Sequence, residues 1–130
     1  MEDERMAPPI VYVDVSEIRE GRHLELEAAM NHLARFVEPH MPRVASYGFF
    51  LGDARATMTV VAVHPDSASL EFHMDEGGEE FRKFADLIDL TRIDVYGDVS
   101  DAVREGLNRK AQMLGRGTVT VHELHAGFAR

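Results

Sequence analysis

Two kinds of apolar repeat alternate along this chain, and their order restricts the fold more than any other feature. From Ile10 to Ile18 apolar and polar side chains alternate one by one, which is the period of a strand with one face on a core. After Gly21, apolar residues recur at helical spacing, which predicts a helix from Arg22 that Pro39 and Pro42 end. Residues 44–51 and 56–63 are β-rich, and the turn-forming residues 52–55 between them predict a hairpin.

The second half of the chain repeats the same alternation. Asp66 and Ser67 predict a helix cap, and the helix that follows is expected to break or hinge at Gly77 and Gly78 and to resume near Glu79. Four apolar residues then share the spacing of one helix face: Phe81, Phe84, Ala85 and Ile88. A strand at residues 91–96, a helix capped by Ser100 and closed by Gly115, and a last strand at residues 118–124 complete the prediction.

This order, βαββαβ with an appended helix and strand, predicts an α+β fold of the ferredoxin-like, split βαβ type. Helices are expected on one face of the sheet. The strand residues Tyr12, Tyr47, Phe49, Met58 and Tyr96 cannot all point to that face, since neighbours in a strand point oppositely. An open apolar face favours a second copy of the sheet, so the sequence predicts a homodimer that closes a dimeric α+β barrel.

Charge and composition exclude several classes of function. The 130 residues carry 14 basic and 23 acidic side chains, a net charge of −9, which disfavours nucleic acid and anionic membrane surfaces as partners. The start of the chain is acidic and proline-containing, so no signal peptide is read and a cytoplasmic protein without a membrane partner is expected. We expect residues 1–9 to form a disordered acidic tail and residues 10–130 to form a single domain.

The chain has no cysteine and seven histidines, which raises the question of a metal site. No two histidines have helical i, i+4 spacing beside a carboxylate. His122 and His125 lie three apart on a predicted strand and would face opposite sides. The sequence therefore predicts no metal site and no cofactor.

Residues 60–74, which read VVAVHPDSASLEFHM, resemble the third strand and second helix of the antibiotic biosynthesis monooxygenase-like family in the dimeric α+β barrel superfamily. The resemblance covers about residues 10–96 and places His73 where that family often carries a histidine. It implies an oxygenase that needs neither metal nor flavin and acts on electron-rich aromatic substrates. The haem-degrading members are less similar, because they use a tryptophan and this chain has none. The family's second histidine is also missing, since Glu79 and Glu80 precede the shared aromatic Phe81.

His73 is the candidate general base, because a neutral imidazole can take a proton from a phenol or an activated carbon acid. Its alternative role is a partly buried histidine bonded to the backbone. Arg92, Asp94 and Tyr96 share one face of a strand, where Arg92 and Tyr96 could bind an anionic substrate. Alternatively, Arg92 and Asp94 could form an ion pair inside a subunit interface.

Two functions follow from these residues. The first is a cofactor-independent monooxygenase-like enzyme that oxidises a small aromatic or polyketide-type substrate, with His73 as base and with Arg92 and Tyr96 as substrate-binding residues. The alternative is a non-catalytic dimeric domain that binds a small ligand or another protein. An apolar pocket beneath the second helix, lined by His73 and by Arg92 or Tyr96, would favour the enzyme.

Overall fold

A computed structural model describes residues 8–130, and its five strands form one sheet packed against three helices. The predicted acidic tail falls largely on residues 1–7, outside the described part of the chain. The elements are β1 (Ile10–Ile18), α1 (His23–His40), β2 (Ser46–Leu51), β3 (Thr57–His64), α2 (Ser67–Arg82), β4 (Ile88–Tyr96), α3 (Asp101–Leu114) and β5 (Gly115–His122). The α+β, ferredoxin-like fold predicted from the sequence is confirmed.

The sheet order is β2-β3-β1-β4-β5, so the first strand lies at its centre. β1 pairs antiparallel with β3 and β4, β2 pairs antiparallel with β3, and the appended β5 pairs parallel with β4. The parallel pair requires a crossover, which α3 supplies. Within residues 8–130, no helix is both long enough and apolar enough to cross a membrane.

Local sequence explains three of the six helix ends. The Asp66 carboxylate accepts a hydrogen bond from the Ser69 backbone N–H at 2.9 Å, and Ser100 Oγ accepts one from the Val103 N–H at 3.2 Å. Both caps satisfy donors that a helix start leaves unpaired. Pro39 lies inside the last turn of α1, so the helix ends at His40, one residue beyond the first of the two prolines.

The predicted break at Gly77 and Gly78 is wrong, because α2 runs through both residues to Arg82. Gly77 is buried, and a Cβ there would lie 2.5 Å from the Phe81 ring, so this glycine makes room for an aromatic side chain. The predicted helical face from Phe81 to Ile88 is also wrong: residues 83–87 form turns and Ile88 begins β4. Four residues at helical spacing across a strand boundary are too few to fix the period.

The two faces of the sheet carry different residues from those expected. Tyr12 on β1 pairs with Ala62 and Val95, and alternate residues of β1 from Ile10 to Ser16 are buried under the helices. Register places Tyr47, Phe49 and Met58 on this same helix-covered face. Of the five aromatic and Met residues considered for the uncovered face, Tyr96 alone lies there.

The uncovered face has an apolar centre and a polar side. Its centre contains five valines of β1 and β3, together with the exposed Phe50 of β2: Val11, Val13, Val15, Val61 and Val63. On β4 and β5, Arg92, Asp94, Tyr96 and His122 project to the same side. The prediction of an uncovered apolar face is therefore confirmed, but with valines in place of most of the expected aromatic residues.

Candidate functional site

The core beneath the helices contains a buried cluster of three ionisable side chains. Tyr12 and Asp14 project from β1, and Lys110 reaches them from α3. Lys110 Nζ donates to Tyr12 Oη at 2.7 Å and lies 3.4 Å from Asp14 Oδ2, while Tyr12 Oη donates to the same Asp14 oxygen. All three residues are at least nine-tenths buried. We call them the Tyr12–Asp14–Lys110 cluster.

Burial sets the protonation tendencies of this cluster. Desolvation raises the pKa of Tyr12 well above its usual value, and the Asp14 charge adds to that rise. Desolvation lowers the pKa of Lys110, although Asp14 opposes the shift. Tyr12 is therefore a fixed proton donor, and the Lys110 ammonium depends on the Asp14 carboxylate for its charge.

Aromatic side chains surround the Lys110 ammonium. Its Nζ lies 4.3 Å from the centre of the Phe81 ring and 4.8 Å from that of Tyr12, within the range of cation–π attraction. Asp14, Tyr47 and Lys110 are the polar residues of an otherwise apolar cavity of about 20 Å³. That volume is close to the space of a single water molecule.

His73 lies behind this cavity rather than in its wall. Its ring centre is 5.2 Å from the rings of both Tyr47 and Phe81, and 5.4 Å from that of His64. His73 is buried, and desolvation followed by the Lys110 charge lowers its pKa well below the usual value. The imidazole is therefore neutral at pH 7, as a general base requires.

The two buried histidines each keep one unused ring nitrogen. His64 Nδ1 contacts Ser69 Oγ at 2.9 Å, and His73 Nδ1 contacts the Met41 sulfur. Within residues 8–130, Nε2 of both rings has no hydrogen-bond partner. A buried polar group without a partner costs about 1–3 kcal/mol, so each of these nitrogens is a place where a bound water or ligand would add stability.

Arg92 and Tyr96 lie on the uncovered face, on the other side of the sheet from His73. Arg92 Nε is 3.3 Å from Asp94 Oδ2, the ion pair expected for the interface alternative. His122 Nε2 lies 2.9 Å from Asp94 Oδ1 and its ring stacks on Tyr96 with centres 4.4 Å apart. One small ligand therefore cannot contact His73, Arg92 and Tyr96 within a single subunit.

Sequence reasoning missed the Tyr12–Asp14–Lys110 cluster. A signal for Lys110 was present, because it follows the buried Val103 by seven residues and Leu107 by three, which places it on the inner face of α3. No such signal marks Tyr12 and Asp14, since valines occupy the alternate positions of β1 and either set could face the core. Within residues 8–130, no group of three or more possible metal ligands is present.

Comparison with known proteins relates the chain to others through its fold. No protein-family model and no curated protein sequence matches it. The structure is similar to that of MupZ from Pseudomonas fluorescens, with a TM-score of 0.69 and 21% identity over 100% of this chain and 95% of that one.

Two further solved structures are similar over part of this chain. PA3566 from Pseudomonas aeruginosa has a TM-score of 0.61 and 17% identity over 70% of this chain and 94% of its own. SO0527 from Shewanella oneidensis has a TM-score of 0.59 and 18% identity over 69% and 90% respectively. At such identities the likeness extends to the α+β fold alone.

Proposed function

We propose that this chain is a small acid–base enzyme that acts on an ionisable aromatic ligand in the cavity beneath its helices. The observation that carries the proposal is a lysine and an aspartate buried together in the wall of an otherwise apolar, aromatic cavity. Apolar residues of similar size at positions 14 and 110 would fill the same space without the cost of removing two charges from water. Buried, mutually dependent charges beside a cavity are typical of functional sites.

The cluster can bind and stabilise an anion. A lysine ammonium has three donors, and two of them are directed to Tyr12 and Asp14, which leaves the third for a ligand. Both described contacts of Asp14 fall on Oδ2, so Oδ1 can accept the proton of a phenol or an activated CH₂ group. The Lys110 ammonium then stabilises the resulting anion in a site with little water.

Oxygenation without a cofactor is the reaction proposed for that anion. An activated CH₂ loses a proton, its carbanion is oxidised by O₂, one oxygen atom becomes the carbonyl of the product and the other leaves as water. R₂CH₂ and O₂ thus give R₂C=O and H₂O, with O₂ as the oxidant. His73 remains the other proposed base, because it is neutral and its Nε2 has no partner within residues 8–130.

The small cavity favours the second candidate function, a non-catalytic domain that binds a small ligand or another protein. An aromatic ring does not fit a space of about 20 Å³ unless neighbouring side chains move. The two functions differ in whether O₂ is consumed.

Oxygen uptake with anthrone and with catechol tests the enzyme. We expect Asp14→Asn and Lys110→Met to abolish uptake, whereas Lys83→Met, which removes an exposed lysine paired with Glu80, retains it. His73→Gln separates the two proposed bases: uptake retained in His73→Gln and lost in Asp14→Asn assigns the proton transfer to Asp14, and the opposite result assigns it to His73. No uptake by the wild-type protein, or equal rates in all variants, would reject this enzyme in favour of the binding domain.

We further propose that two copies pack through the uncovered sheet face to form a homodimer. Five valines and Phe50 supply an apolar centre, and a face of this kind is usually covered in a folded protein. Arg92 and Tyr96 would then lie in the interface, where Asp94 already neutralises the arginine.

Analytical ultracentrifugation tests the dimer. Val13→Arg places a charge at the centre of the uncovered face and is expected to give a folded monomer at micromolar concentration. Glu105→Arg, on an exposed position of α3, is the matched control and should stay dimeric. A monomeric wild-type protein would contradict the proposal.

A further inference from the structure

A second cavity, of about 170 Å³, lies in the groove between α2 and α3. Every charged side chain in its wall is cationic: Arg82 from α2, and Arg109 and Lys110 from α3. Both arginines are exposed, and within residues 8–130 neither forms an ion pair. On a chain with a net charge of −9, this all-cationic groove is a local exception that favours an anionic ligand.

Two glycines lie in the wall of this groove. A Cβ on Gly106 would lie 3.0 Å from Met74 Cε on the facing helix, so the end of the Met74 side chain would have to shift by a few tenths of an ångström to admit it. Gly78 lines the groove on the α2 side, and a Cβ there would meet nothing within 4 Å. Each of the two helices therefore contributes a residue without a side chain to the wall of the groove.

The groove and the inner cavity share two wall residues. Phe81 and Lys110 line both, with the ammonium 4.3 Å from the centre of the Phe81 ring. Lys110 thus lies between the exposed arginines and the buried Asp14 carboxylate. A ligand that occupies both spaces must therefore displace the Phe81 ring, which lies in the wall of each.

We infer that the ligand is an aromatic carboxylate, held through its carboxylate by Arg82 and Arg109 and directed with its ionisable end to Lys110 and Asp14. The planar guanidinium groups can each bind a carboxylate through two parallel hydrogen bonds. Phe81, which lines both spaces, supplies a ring surface between them, and Tyr47, Phe49 and Phe84 supply further rings in the wall of the inner cavity. This inference rests on the proposed function, because the inner cluster is the destination of the ionisable end.

Three naphthalene probes separate the two ends of such a ligand. 6-Hydroxy-2-naphthoate carries both groups, 2-naphthol carries the hydroxyl alone, and 2-naphthoate carries the carboxylate alone. Measured by isothermal titration at low salt, 6-hydroxy-2-naphthoate should bind the wild-type protein roughly tenfold or more tightly than 2-naphthol, as expected for hydrogen bonds between charged groups. We expect the double variant R82Q/R109Q to lose that preference and to bind 2-naphthol unchanged.

Arg104→Gln, which removes an exposed arginine of α3 outside the groove, is the matched control and should keep the preference. Equal affinity of the wild-type protein for 6-hydroxy-2-naphthoate and 2-naphthol would overturn the inference. So would an equal loss of the preference in Arg104→Gln, or no binding of any probe at roughly 1 mM, a concentration that detects even weak complexes.

The outcomes also separate this inference from the proposed function. If Lys110→Met weakens the binding of 2-naphthol while R82Q/R109Q keeps the preference for 6-hydroxy-2-naphthoate, carboxylate binding by the two arginines is rejected and ligand binding at the inner cluster is supported. If the preference for the carboxylate depends on the arginines but neither the wild-type protein nor any variant takes up oxygen, carboxylate binding in the groove is supported and the proposed oxygenase activity is rejected. The arginines are exposed, so their double variant is expected to fold.

Discussion

Removal of the Lys110 ammonium is the most informative single perturbation of this protein. In Lys110→Met the side chain keeps much of its volume, but the Asp14 carboxylate stays in the core without its cation. Breaking a buried ion pair from one side typically costs about 3–5 kcal/mol. Tyr12 still donates to Asp14, so the lower end of that range, about 3 kcal/mol of unfolding free energy at pH 7, is expected.

Two further variants test whether the loss of unfolding free energy in Lys110→Met comes from the buried ion pair. The double variant D14N/K110M removes both charges, so it should recover about 2 kcal/mol of the loss. Lys83→Met breaks an exposed pair with Glu80 and should cost less than about 1 kcal/mol.

Urea unfolding followed by circular dichroism, with linear extrapolation to water, measures each free energy. The assignment of this loss to the buried pair is refuted if Lys110→Met costs less than about 1 kcal/mol, the range of an exposed lysine. It is also refuted if the losses from Asp14→Asn and Lys110→Met simply add in the double variant, because residues in one buried pair must be coupled.

Two further predictions concern the histidines and glycines of the core. Burial lowers the pKa of His64 from 6.5 to about 4, so the unfolded chain binds a proton at this histidine before the folded chain does. The stability that the neutral His64 contributes is therefore complete above pH 6.5 and is lost as the pH falls toward 4. It amounts to at most about 3 kcal/mol. Urea midpoints between pH 7 and 4.5 should therefore fall less steeply in His64→Gln than in the exposed control His125→Gln, and equal slopes would contradict the assignment. Gly77→Ala should destabilise by about 1–3 kcal/mol through contact with Phe81. Gly78→Ala, with open space around its Cβ, should stabilise by up to about 1 kcal/mol; equal thermal shifts in the two variants would exclude the packing explanation.

The sequence predicted the element order well, because strand and helix periods differ clearly in long segments. β1 begins and ends at the predicted residues, and both predicted caps, Asp66 and Ser100, have the expected hydrogen bonds. The prediction at Gly77 was wrong because the reason for this glycine lies in the packing: the Phe81 ring occupies the space that a side chain at residue 77 would need. No local sequence pattern indicates such a contact. Judged by conformational preference alone, two adjacent glycines predict a break in a helix.

The candidate site was less predictable than the fold, because it depends on which face each strand presents. On a central strand such as β1, apolar side chains occupy both faces, so alternation identifies the strand without identifying its inner side. Tyr12 and Asp14 were therefore not recognised as inward residues. Arg92 and Tyr96 were correctly placed on one face together, but the side of the sheet on which His73 lies depends on packing between α2 and the strands.

The contact between Asp14 and Lys110 spans 96 residues, from the first strand of the chain to its last helix. A growing polypeptide would therefore carry an uncompensated charge at the middle of its sheet until Lys110 had been synthesised. Native folding should thus be completed late and cooperatively, with amide exchange in α3 as slow as in β1. A helix without such a buried contact to the central strand would unfold locally at its ends, and its amides would exchange faster than those of the strands.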